Sequence, residues 1–199
     1  KNITKEFPGV KALDNVQLKI KPGKVHSLMG ENGAGKSTLM KILIGIHPPT
    51  NGTIIYKGKE VVIENTNQAL NMGISMIHQE LSPVLHRTIM ENIWLGREPI
   101  KGPLKLVNHK KMYDMTKELL IDLELDLDPK EKMANLTVAK MQMIEIAKAV
   151  SYNSDIVIMD EPTSALTDRE VEHLFRIIER LKDQGKAIIY IPHKMDEID

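Results

Sequence analysis

Cysteine is absent from all 199 residues. That excludes disulfide bonds and cysteine-ligated zinc, and it leaves no mark of an oxidising compartment. Neither sign of charge is in excess: 27 lysines and arginines face 27 aspartates and glutamates. A broad nucleic-acid footprint needs a basic face, so no nucleic-acid partner is expected. Long hydrophobic runs are missing too. No apolar stretch approaches the roughly 20 residues of a membrane helix, and no signal peptide is read at the start. The seven histidines show no tight metal-ligand spacing. An Asn-Lys-x-Asp guanine motif is also lacking, which argues against a GTPase. The 42% of hydrophobic residues are enough for one substantial core. The chain opens without methionine, within what reads as the end of a strand, and stops where a helix is due. We therefore expect a piece of a longer chain.

The stretch Gly30-Glu31-Asn32-Gly33-Ala34-Gly35-Lys36-Ser37-Thr38 fits the phosphate-loop pattern G-x-x-x-x-G-K-[ST]. Three glycines and an alanine let the backbone wrap an anion, with successive N–H groups pointing into one concavity. Lys36 supplies a compact cation for the outer phosphates and Ser37 a hydroxyl for Mg²⁺. The context suits this: Val25–Met29 reads as a buried strand, and Lys36–Ile44 as a helix that ends at Gly45. The N-terminal amides of such a helix complete an anion site. The spacing predicts binding of a nucleoside triphosphate.

Further strands are expected at 16–20, 53–56, 61–63 and 74–77, with a short helix over 65–71. From Leu81 to Ser151 strand signals are few. Helical periodicity covers 88–95, 109–123 and 137–150, the last with Met141, Ile144, Ala147 and Lys148 spaced by threes and fours. The reading is an inserted helical lobe at 81–151 within a nucleotide-binding core of 1–80 and 152–199. In the core, 155–160 is a buried strand. The helix after it has a Thr167–Glu170 capping box and an apolar stripe of Val171, Leu174, Ile178 and Leu181. Ala187–Ile191 is the next strand. Strand–helix alternation implies an α/β fold, a mostly parallel sheet covered by helices, with ligands at the carboxyl ends of its strands.

At one such end stands Asp160-Glu161. A carboxylate there can hold a Mg²⁺-bound water, and its neighbour can deprotonate a water for attack on the γ-phosphate. Gln79 and His193 each follow a predicted strand. Gln79 can meet Mg²⁺ or the attacking water, and His193 the γ-phosphate; each also fits an ordinary polar strand end.

The order of Gly30–Thr38, Gln79, a helical insertion, Leu136-Thr137-x-x-x-x-Gln142, Ile156–Glu161 and His193 resembles the ATP-binding cassette family over nearly the whole chain. The resemblance implies a P-loop core with an antiparallel β subdomain and the helical lobe, ATP and Mg²⁺ as ligands, and ATP hydrolysis. It implies that Gly30, Asn32, Gly33, Ala34, Gly35, Lys36, Ser37 and Thr38 contact the nucleotide. Ser37, Gln79 and Asp160 would attend the metal, and Glu161, Gln79 and His193 would act in catalysis. Phe7 matches the aromatic that stacks on adenine, although a core position is the other reading of one of only two phenylalanines. Phe7–Val16, Glu91–Arg97 and Met141–Ala149 are similar to the first cassette of bacterial monosaccharide importers. Galactose/methyl-galactoside systems are nearest, with ribose and other pentose systems close. The implied partners are a second cassette in the same full-length chain, membrane permease subunits and, indirectly, a sugar-binding protein. The implied location is the cytoplasmic face of the membrane, as a peripheral subunit.

Two departures stand out. The family's Leu-Ser-Gly-Gly-Gln signature is here Leu136-Thr137-Val138-Ala139-Lys140, which keeps a hydroxyl but gives side chains to both glycine positions. Thr137 fits a contact to ATP held by the partner cassette, and equally a plain helix N-cap. Pro192 stands where serine usually precedes the histidine. A soluble cassette ATPase unconnected with transport, or a nucleotide-binding module of low turnover, are the alternative functions. Trp94 fits either a permease contact or the core.

Overall fold

The computed structural model describes residues 1–31, 33–78 and 81–192. In chain order the elements are β1 (Ile3–Phe7), β2 (Val10–Val16), β3 (Val25–Ser27), α1 (Lys36–Leu43), β4 (Ile54–Tyr56), β5 (Lys59–Val61), α2 (Thr66–Asn71), β6 (Ile74–Ile77) and α3 (Ile89–Ile93). Then follow β7 (Ile100–Lys101), β8 (Leu106–Val107), α4 (His109–Asp122), α5 (Val138–Ser151), β9 (Ile156–Asp160), α6 (Asp168–Asp183) and β10 (Ala187–Ile191), with one 3₁₀ turn at Met133–Asn135. Two compact units result. One is Lys1–Gln79 with Tyr152–Ser164 and Ile178–Asp199; the other is Glu80–Ser151 with Ala165–Ile177.

The first unit is built on a parallel four-stranded sheet of order β3-β10-β9-β6. Every residue of β10 is buried, as are the last four of β9. Such continuous apolar strands suit a parallel sheet buried on both faces. Ile158, Ile189 and Ile191 are wholly buried and join Leu39, Met40 and Ile42 of α1 in one core. Each such side chain contributes about 1.5–3 kcal/mol over leaving it in water. Two antiparallel ribbons, β1–β2 and β4–β5, complete the unit.

The strand expected at 25–29 is shorter, Val25–Ser27, and not buried: Val25 is 37% and Met29 52% exposed. Three further expectations are corrected here. No strand covers 16–20: β1 runs out at the Ile3–Val16 pair, so the alternating residues beyond it have no partner strand. Leu18 and Ile20 still pack against the core. The strand expected at 61–63 is Lys59–Val61, because Lys57 (φ 50) and Gly58 (φ 79) make a two-residue turn that starts the return strand at once. The Tyr56 hydroxyl donates to Met72 O at 2.5 Å, and Lys57 pairs with Asp155 at 2.7 Å, which ties this ribbon to the loop before β9.

In the second unit a capping box opens α3: Thr88 Oγ1 accepts from Glu91 N–H at 3.3 Å, and Glu91 accepts from Thr88 N–H at 2.8 Å. That bond, ahead of the Thr88 hydroxyl and Arg87, holds the Glu91 carboxyl below the usual range. The lobe is not all helical, which is the third correction. Pro99, Gly102 and Pro103 break the helical pattern, and the Asn108 N–H donates to Pro99 O at 2.6 Å, closing the β7–β8 hairpin. Asn108 also caps α4. In α5, Gln142, Met143, Ile144, Ile146, Ala147 and Ala149 are all buried, so the helix is covered nearly all round rather than along one stripe. Trp94 is half-buried, donates from Nε1 to Thr116 Oγ1 at 2.9 Å, and lies under the Arg97 guanidinium at 5.0 Å. Thr167 precedes α6, with the Glu170 carboxylate accepting from its N–H at 2.9 Å and its hydroxyl at 2.8 Å.

Candidate functional site

Strand register sets the site. In the sheet, Ser27 lies beside Tyr190, Asp160 beside Ile191, and Ile77 beside Met159. The phosphate loop after β3, the end of β10, Asp160-Glu161 and His78 therefore emerge from one edge of the first unit. Asn32, Gln79 and His193, three of the residues singled out above, lie outside the described residues.

The loop folds as its glycines require. Gly33 (φ 84) and Gly35 (φ 87) are left-handed, and Gly35 stands directly before the first residue of α1. A Cβ on Gly35 would lie 2.5 Å from Ala12 O and 2.7 Å from Leu13 Cδ2, whereas one on Gly33 would meet nothing within 4 Å. The Ala34 N–H donates to Glu31 O at 3.1 Å, which turns the chain inside the loop. Lys36 Nζ donates to Gly30 O at 2.6 Å and Glu31 O at 3.0 Å, curling back over the concavity. Thr38 follows within the first turn of α1.

Asp160 ends β9 and is only 6% exposed. Burial, first, and the Glu161 charge, second, push its carboxyl above the usual range. The nearby Ser37 hydroxyl, and after it His78 and Lys41, oppose the rise. His78 and Lys41 did not figure in the sequence reading. Lys41 sits one turn beyond Ser37 on α1, and His78 immediately follows the strand paired with β9, so helix spacing and strand register were the available signals. Glu161 has φ 48, a left-handed conformation that costs a non-glycine residue about 1–3 kcal/mol. Its N–H donates to Ile191 O at 2.9 Å, fixing the carboxylate's base to the end of β10.

The residues fit a Mg²⁺-nucleotide: Ser37 lies near the buried Asp160 carboxyl, which has an acidic neighbour and incomplete positive compensation, and the loop offers amides beside a lysine. Phe7 is half-buried on β1, outside the buried core. Its ring meets His47 edge-on at 5.4 Å, with Lys5 Nζ 5.0 Å from its centre. Thr137 precedes α5 in the second unit and its hydroxyl accepts from the Lys140 N–H at 3.3 Å, an N-cap bond. Val138 is 57% exposed beside it.

A family model described as ABC transporter matches residues 13–164. The galactose/methyl galactoside import ATP-binding protein of Photobacterium profundum is 67% identical over 198 residues, spanning 100% of this chain and 40% of that protein. A putative ribose/galactose/methyl galactoside import ATP-binding protein of Halalkalibacterium halodurans is 62% identical, spanning 100% and 38%. The chain thus spans about two fifths of the length of these curated relatives. Among solved structures, a dimeric ATP-binding cassette in a post-hydrolysis state, bound to ADP and Pi, superposes with a TM-score of 0.83 at 25% identity, covering 99% of this chain and 88% of that one.

Proposed function

Since the chain belongs to the ABC transporter family of ATP-binding cassettes, we propose that it is the ATP-binding and hydrolysing part of a bacterial importer of galactose, methyl galactosides or a related monosaccharide. The observation that carries this reading is the buried Asp160 carboxyl at the end of β9, with Ser37 of the phosphate loop near it, in a chain 67% identical throughout to a sugar-import ATP-binding protein.

In this reading the amides of Gly33–Thr38 hold the phosphates, Gly30 and Asn32 contact the nucleotide beside them, and Lys36 leaves its loop carbonyls to meet the phosphates. Phe7 stacks on the adenine. Ser37, Asp160 and Gln79 hold Mg²⁺, which supplies positive charge at the phosphate oxygens. Glu161 takes a proton from the attacking water as the water oxygen bonds to the γ-phosphorus and the bond to the ADP oxygen breaks; the proton ends on the released phosphate. His193 donates to the γ-phosphate. Thr137 presents its hydroxyl to ATP held by a second cassette, and Gln79 links the metal to permease subunits served by a sugar-binding protein. The assembly works at the cytoplasmic face of the membrane. The exposed Val138 where the family signature has glycine favours a second reading, a module with little turnover of its own.

The test is thermal unfolding of the native full-length protein with Mg-ATP. At a hundredfold excess over Kd, binding to the folded state adds about 2.7 kcal/mol, roughly 5–10 °C in Tm. Lys36→Ala should remove most of that shift and abolish galactoside uptake in cells. An unchanged shift in the variant counts against the loop. Normal uptake counts against the importer.

A further inference from the structure

The β7–β8 hairpin is exposed along its whole length, residues 100–107. Four of its side chains are large and apolar: Ile100 (57% exposed), Leu104 (80%), Leu106 (58%) and Val107 (36%). Directly opposed residues share a face of a ribbon. The register pairs Ile100 with Val107 and Lys101 with Leu106, so apolar groups stand on both faces. Leu104 follows the Gly102-Pro103 turn at the tip. A groove on a protein covers one face of so narrow a ribbon; apolar groups on both faces and at the tip suit a medium that surrounds it.

Charge gives the second argument. Lys101 and Lys105 flank the tip, and exposed Lys110 and Lys111 follow in the first turn of α4. Among the described residues none of these four lysines forms a salt bridge. No acidic residue occurs between Glu98 and Asp114, although the chain as a whole is neutral. A basic collar round an apolar tip is complementary to anionic headgroups above acyl chains, because lysine stems lie along apolar surface while their ammonium groups stay at headgroup level. We propose that this hairpin docks on an anionic lipid surface, dipping Leu104 among the headgroups. The contact goes beyond ATP hydrolysis and does not depend on it.

The experiment is flotation of the native full-length protein, without permease, on vesicles of phosphatidylcholine alone or with about one-third phosphatidylglycerol. The protein should float with the anionic vesicles and not with the neutral ones. Each lysine removed should weaken binding roughly fivefold, so Lys101→Glu with Lys105→Glu should lose at least about 25-fold, an effect that fades as salt rises. Leu104→Ser should weaken binding severalfold with little salt dependence. All three positions are exposed, so melting and ATP binding should match wild type and report that the fold is intact. Wild type that fails to float, or variants that float as wild type does, would overturn the proposal. Variants that float normally yet no longer copurify with the permease in detergent would assign the hairpin to a protein contact instead.

Discussion

Replacing Gly35 by alanine should destabilise the cassette more than the same change at Gly33, two residues away. Both glycines are left-handed, at φ 87 and φ 84, a conformation that costs an alanine about 1–2 kcal/mol. Only Gly35 faces a wall. Its new Cβ would sit 2.5 Å from Ala12 O and 2.7 Å from Leu13 Cδ2. Leucine can shift its methyl, but Ala12 O belongs to the main chain of β2 and yields less readily than a side-chain end. Overpacking of this kind costs about 1–3 kcal/mol more. Together the two effects reach about 2–5 kcal/mol, or roughly 4–20 °C in Tm for a chain this size. Gly33→Ala has nothing within 4 Å and carries the backbone cost alone, roughly 2–8 °C. The assay is thermal unfolding of both variants, alone and with nucleotide. A Gly35→Ala protein that melts within about 2 °C of Gly33→Ala would refute the contact argument.

Asp160→Asn tests the buried carboxyl. Burial raises its pKa in the fold, so the folded chain keeps this proton to higher pH than the unfolded chain, and stability falls as pH rises above the ordinary carboxylate range. The asparagine variant should therefore melt above wild type near neutral pH without nucleotide, the gap closing below about pH 4; its nucleotide binding should also lose Mg²⁺ dependence. A gap that widens on acidification reverses the sign and rejects the assignment. Glu161→Gln should keep ATP binding and nearly eliminate hydrolysis, and steady-state turnover at the wild-type rate would remove Glu161 from the role of base. If the chain works with a second cassette as proposed, Thr137→Ala in that assembly should cost much less than tenfold, because a Cβ at Val138 or Ala139 can hold that backbone away from a phosphate. Comparable losses from the equivalent change in the second cassette's signature would make both sites catalytic.

What the sequence disclosed was what depends on neighbours in sequence. The phosphate loop, the strand ending at Asp160 and the strand Ala187–Ile191 are short-range patterns, and their bounds differ from the structure by a residue or two at most. Residues 16–20 alternate as a strand does, yet pairing depends on where β1 ends. The β7–β8 hairpin was hidden because two-residue strands carry no periodicity. The all-round burial of α5 was hidden because three-and-four spacing reports one face, while the other is covered by elements far away in sequence. At the candidate site, Ser37 and Asp160 were both named from their motifs, but their closeness, and the approach of His78, follow from sheet order and register, which no local pattern encodes; only Lys41, one helical turn from Ser37, had a local signal.

The sheet order β3-β10-β9-β6 has a consequence for synthesis at the ribosome. Among the described residues β3 has one neighbour in the sheet, β10, which is made later than β9 and β6. Ala187 leaves the ribosome 160 positions after Ser27, roughly 10–30 s later at ordinary translation rates. Late in that interval, once β9 is made, β6 and β9 can pair, and the helical lobe can form from local contacts, while the strand that carries the phosphate loop still waits for β10. A nascent chain halted before residue 187 therefore carries the phosphate loop and Asp160-Glu161 without the strand that joins them, and protease protection of the loop should rise only when β10 emerges.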